Sequence, residues 1–124
     1  LSRFHDTRLE PVLRSFFGQV APSGRDATFI AETGALLQAR LEQLATIAAP
    51  TPLLTGEQLA IADCGFVASF GILDLLRELL DLELVLPQPI AAYASALAAQ
   101  RSVAKEDTRY RKALRDWART KGAL

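Results

Sequence analysis

Thr55 to Leu80 read TGEQLAIADCGFVASFGILDLLRELL, and this stretch decides the fold. No charged residue falls between Asp63 and Asp74, and Ile61, Cys64, Ala68, Gly71, Ile72, Leu75 and Leu79 recur at helical spacing. A surface helix keeps a polar side opposite its apolar one. Here the middle is apolar nearly all the way round, which predicts a helix buried at the centre of an all-α domain. Its start is legible too. Leu59-Ala60-Ile61-Ala62-Asp63 has the outline of a capping box with its cap at Ala60. The Asp63 carboxylate reaches back to the cap N–H, and Leu59 is expected to staple against Cys64. Ala60 carries no side-chain oxygen, so the reciprocal bond is missing, at a cost of ~1 kcal/mol relative to Ser or Thr.

Upstream, Leu9, Val12, Leu13, Phe16, Phe17 and Val20 mark the apolar face of a first helix within Leu1 to Val20. Pro11 leaves two readings of its start. Either the helix begins at the capping box Thr7-x-x-Glu10, or it begins earlier and kinks at Pro11. Asp26 is an N-cap for a long second helix reaching about Ala49. Its seam is Ile30, Gly34, Leu37, Leu41, Leu44 and Ala48. Pro50 and Pro52 end it, and Ala49 to Glu57 is a loop. Downstream, Leu79 to Leu86 reads as a helical extension followed by a loop, since no other segment offers a strand partner. Pro89 opens a helix with Ile90, Tyr93, Ala94, Leu97 and Ala98 inward. That helix ends at Arg101 to Val103, with Ser102 capping a short further turn. A last helix, from about Asp107 to Lys121, docks through Tyr110, Leu114, Trp117 and Ala118. The expectation is an all-α bundle of about five to six helices around a buried central one.

Composition excludes several classes. The 124 residues suffice for one domain with a real core. Net charge is zero, which argues against a general nucleic-acid binder, although the charge is uneven. From Arg101 onward there are 8 basic and 3 acidic residues, against 6 basic and 11 acidic before it. No apolar run is long enough to span a membrane, and no signal-peptide pattern is present. One cysteine excludes an internal disulfide and suits a reducing cytoplasm, the expected location. The chain begins at Leu1 and contains no Met, so a fragment of a longer protein is expected.

The inventory of reactive groups is thin. His5 is the only histidine, which excludes His-rich zinc sites, and no metal is expected. Cys64 is read as an inert core thiol, and Asp63 as a cap rather than a catalytic acid. The glycines Gly65 and Gly71 are read as helix-packing contacts. On the first helix Phe4, His5, Arg8 and Val12 share a side, with Phe4 and Val12 read as core and His5 and Arg8 as solvated or pocket-lining.

The stretch Gly56, Leu59, Ala62 and Asp63 resembles the Gly-x-x-[Leu/Phe]-[Ser/Thr]-x-Ala-Asp motif of the C-terminal domain of glutathione transferases, departing at Ala60. The likeness continues in Pro87 or Pro89, Ile90, Tyr93, Arg101 and Val103, departing at Ser102, where that family has Pro. The resemblance implies that residues 1–124 form one glutathione transferase C-terminal-like domain. It also implies a preceding thioredoxin-like domain, absent from this chain, that binds the co-substrate glutathione and supplies the catalytic residue. No catalytic residue is assigned here. Carried over by position, the wall of a pocket for a small hydrophobic electrophile falls to His5, Arg8 and Val12 of the first helix, with Phe66 and Phe70 of the central helix. Those two phenylalanines equally suit the core. Partners implied are the thioredoxin-like domain and a second copy in a homodimer, with no nucleic acid and no membrane. The alternative is a non-catalytic protein–protein interaction module of the same fold.

Overall fold

Three features of the chain set where its helices begin: a buried aspartate, an exposed aspartate and a proline. The computed structural model describes residues 1–124. Helix α1 is assembled from an α-helical start at Ser2–Phe4, a π-helical turn at His5–Leu9 and an α-helical stretch at Glu10–Ser15. Helix α2 is Ala27–Ile47, α3 is Ile61–Leu80, α4 is Gln88–Ala98 and α5 is Arg101–Thr120. The fold is therefore all-α, with five helices and no strand. No helix is long and apolar enough to cross a membrane.

Asp26 caps α2, accepting hydrogen bonds from Thr28 N–H at 3.0 Å and Phe29 N–H at 3.1 Å. Asp63 holds the start of α3, where its Oδ2 accepts from Ala60 N–H at 2.8 Å. Ala60 gives nothing back from its side chain, and Asp63 N–H instead bonds the Ala60 carbonyl at 3.0 Å. Leu59 and Cys64, the expected staple pair, both reach solvent, and Cys64 is not a core thiol. Leu59 is 36% exposed and Cys64 lies on the surface, its Sγ 3.8 Å from the Ala60 carbonyl. Cys64 shares the outward side of α3 with Ile61, which is 91% exposed. The leucine that the preceding loop buries is Leu53.

The inward side of α3 runs through Asp63, Phe66, Phe70, Leu73 and Leu76. Helices α1, α4 and α5 pack on α3, whereas α2 packs on α1 and α4. Solvent reaches α3 at Asp74 and Glu78, so it is central without being enclosed. One continuous core joins Leu9, Leu13 and Phe16 of α1, Leu37, Leu41 and Leu44 of α2, Phe66 and Phe70 of α3, and Ile90, Tyr93 and Leu97 of α4.

Of the two readings of the first helix, the structure takes the earlier start. Pro11 falls inside that helix, directly after the π turn, so the N–H it lacks is an interior one. The π turn just before it absorbs the change of register. The Thr7–Glu10 capping box does not form: Thr7 Oγ1 donates to the Arg3 carbonyl at 2.6 Å, and Glu10 accepts from Arg14.

The chain leaves α3 through Asp81 in the left-handed region and runs extended, with Leu82, Leu84 and Leu86 turned inward and Glu83 and Val85 outward. The Gln38 side chain takes the place of a partner strand. Its Nε2 donates to the Val85 carbonyl at 2.8 Å and its Oε1 accepts from Val85 N–H at 3.0 Å. The turn expected at Ser102 is replaced by a longer α5 that starts at Arg101, because Val103 belongs to the core and continues the helical face. Trp117 meets Phe17 edge-on at 5.4 Å, which closes α5 onto the end of α1.

Candidate functional site

The one histidine is the best-held polar side chain on α1. His5 lies in the π turn and is only 6% exposed. Its Nε2 is 2.6 Å from Ser69 Oγ on α3, and its Nδ1 is 2.8 Å from Asp6 Oδ1. A carboxylate only accepts, so Nδ1–H donates to Asp6; in the tautomer that carries its proton on Nδ1, Nε2 accepts from the Ser69 hydroxyl. The imidazole stands edge-on to Phe66 at 4.8 Å. It also presses on Gly65, where an added Cβ would sit 2.9 Å from His5 Cε1. Gly65 thus lets α1 approach α3 closely enough for the His5–Ser69 bond.

His5, Gly65 and Ser69 form the floor of a groove of about 490 Å3 between α1 and α3. Asp6, Glu10 and Arg14 line its α1 side, and Phe17, Ala68, Ile72 and Tyr110 supply its apolar surface. Glu10 Oε1 holds Arg14 at 2.7 and 2.8 Å. Burial raises the pKa of the Tyr110 phenol above its ordinary value, with Arg14 opposing and Glu10 adding, so the hydroxyl stays neutral in the groove.

The serine–histidine–aspartate order invites comparison with a nucleophilic triad. The geometry argues against that role. Ser69 is 2% exposed and sits in the middle of α3. The backbone N–H groups around it belong to the helix's own ladder and are not free to stabilise an oxyanion. The chain of hydrogen bonds positions His5.

The other candidates disperse. Arg8 points to solvent, and Val12 is buried in the core. Phe66 is fully buried, in edge contact with Tyr93 at 5.7 Å, and Phe70 meets the same ring at 5.7 Å. His5 alone of the five lines the groove. The residues that accompany it, Ser69 and Tyr110 among them, gave no sequence signal because they come from three helices.

Asp63 lies apart from this groove. Its carboxylate is fully buried and accepts from Ala60 N–H, from Leu54 N–H at 3.3 Å and from the Tyr93 hydroxyl at 2.7 Å. Burial, then the bond to Asp63, push the Tyr93 phenol far above its ordinary pKa. The site is structural.

Two further depressions carry less chemistry. One, between α3 and α5, is lined by charges already paired: Arg111 bridges Asp74 at 2.7 Å and Asp107 at 3.0 Å, and Arg115 binds Glu78. Burial alone would lower the Arg111 pKa, but the two carboxylates outweigh it and the net shift is upward. The other, about 590 Å3, is an apolar trough between α2 and the extended segment, lined by Ile30, Gly34, Leu82 and Leu84. Comparisons with protein-family models, curated proteins and solved structures return no match.

Proposed function

We propose that the chain is the helical domain of a glutathione transferase-like protein, in which the groove between α1 and α3 forms one wall of an electrophile site. A thioredoxin-like domain outside residues 1–124 would hold glutathione and ionise its thiol. The observation that carries this reading is the open groove itself. It lies between the first and central helices, the two elements to which the resemblance assigns the wall. The capped start of α3 and the buried Tyr93 at its side fall on the residues that carry the resemblance.

The wall differs in composition from the expected set. His5 stays, and Phe17, Ile72 and Tyr110 replace Arg8, Val12, Phe66 and Phe70. The polar floor suits an electrophile with an apolar ring to lie on Phe17 and Tyr110 and a polar substituent to face Ser69 and His5. Because the residue that ionises the thiol lies outside this chain, residues 1–124 with glutathione and chlorodinitrobenzene should show no conjugation above the spontaneous rate. Turnover by this chain alone would refute the division of labour.

A second reading, an interaction module, is favoured by Leu59 and Ile61, exposed together at the start of α3. Ile61→Asp would leave groove binding intact and abolish association with a partner under that reading.

A further inference from the structure

We propose that His5, Asp6 and Glu10 bind one divalent transition-metal cation through His5 Nδ1 and one oxygen of each carboxylate. The three ligand atoms lie within 4.8 Å of one another. His5 Nδ1 and Asp6 Oδ1, hydrogen-bonded at 2.8 Å, need to part only to the roughly 3.0–3.4 Å that separates neighbouring ligands of a cation at about 2.0–2.2 Å.

Two features outside the cluster point the same way. The first is the π turn. On an uninterrupted α-helix, residues five apart diverge by roughly 140° around the axis. The turn at His5–Leu9, closed by Glu10 N–H on the His5 carbonyl, brings Glu10 back over His5. The second is the support behind the imidazole. A metal-bound histidine bonds its other ring nitrogen to a fixed partner that sets the tautomer. Ser69, buried on a separate helix, stands 2.6 Å from Nε2, and Phe66 and Gly65 hold the ring plane. On binding, Nδ1 releases its proton to solvent and Nε2 takes one up and donates it to Ser69 Oγ. The imidazole remains neutral.

One nitrogen and two carboxylate oxygens suit Zn2+, Co2+, Mn2+ or Fe2+, and the nitrogen disfavours Mg2+ and Ca2+. Two carboxylates balance the charge of the ion. With three protein ligands from one helix, the remaining positions open into the groove, as in metal sites that keep a place for water or substrate. Arg14, which holds Glu10 in the absence of metal, is the competitor the cation displaces. The inference is independent of the transferase reading, since every ligand belongs to α1.

Calorimetric titration of chelator-treated protein with Zn2+, and the visible absorption of Co2+ added alone, test it. The expected result is one ion per chain, weakened at least about tenfold by His5→Gln or Glu10→Gln and about 10–100-fold by Ser69→Ala. Arg14→Ala should tighten binding. Circular dichroism melts accompany each variant, and Glu10→Gln, at a half-buried position outside the core, keeps the test valid should His5→Gln unfold. No one-to-one uptake, uptake unchanged by Glu10→Gln, or weaker binding by Arg14→Ala overturns the site.

Discussion

Asp63 has no exposed surface, and the three donors on its carboxylate come from the loop, the helix start and α4. Asp63→Ala would leave the Tyr93 hydroxyl buried without a partner and two half-buried backbone N–H groups unpaired, at a cost of about 3 kcal/mol in urea unfolding. Ala60→Ser adds the missing cap oxygen, but the N–H it would serve already bonds the Ala60 carbonyl at 3.0 Å. Its gain should lie at the low end of the capping range, about 0.5 kcal/mol. Tyr93 links the same site to pH. Its folded pKa is raised, first by burial and then by Asp63, so the unfolded chain ionises before the folded one. The stabilisation it brings is complete below the unfolded value of about 10 and declines as pH rises beyond it. Tyr110 is shifted the same way, by burial. Urea midpoints followed from neutral to alkaline pH should fall above about pH 10, more gently in Tyr93→Phe, with the absorbance of the Tyr93 tyrosinate appearing only as the protein unfolds.

At the scale of the element, α1 and α3 make contact through glycine. Alanine is worth up to about 1 kcal/mol over glycine in a helix interior, so the surroundings decide the sign of each Gly→Ala change. At Gly65 a Cβ would meet the His5 ring at 2.9 and 3.1 Å, and that ring is fixed by Ser69 and Phe66. Gly65→Ala should therefore destabilise by about 1–2 kcal/mol and loosen α1. At Gly71 the nearest atom is Tyr110 Cδ2 at 3.3 Å, on a half-exposed ring with room to give. Gly71→Ala should be near neutral, and thermal melts of the pair separate the two cases. The helices that periodicity and caps announce, α2 behind Asp26 and α3 behind Asp63, were legible in the sequence. The face of α3 was not: its middle is apolar on all sides, so spacing alone did not distinguish Phe66 and Phe70, which turn in, from Ile61 and Cys64, which turn out. The π turn was hidden for a related reason. An α-helical period assigns His5 and Glu10 to different sides, and only the backbone geometry reunites them.

On the scale of the whole molecule, the uneven charge of the sequence resolves into contacts between helices. Arg111 and Arg115 of the basic α5 pair with Asp74 and Glu78 of α3, so much of the excess is spent inside the fold. Such exposed pairs contribute about 0–1 kcal/mol each and orient α5 more than they stabilise it. Asp116, held below its ordinary pKa first by its bond to Lys112, adds stability at neutral pH that is lost as acid protonates it. The bundle and its central helix followed from pattern, whereas the groove did not, because α1, α3 and α5 each contribute to it. Its role as a ligand wall is open to measurement. Backbone amide NMR of residues 1–124 titrated with S-hexylglutathione reads that role residue by residue, since the hexyl chain stands in for the apolar part of an electrophile. Weak, saturable shifts are expected, confined to His5, Phe17, Gly65, Ala68, Ser69, Ile72 and Tyr110. Shifts centred instead on the trough of Ile30, Gly34 and Leu82, or none at all at millimolar ligand, would rule that role out.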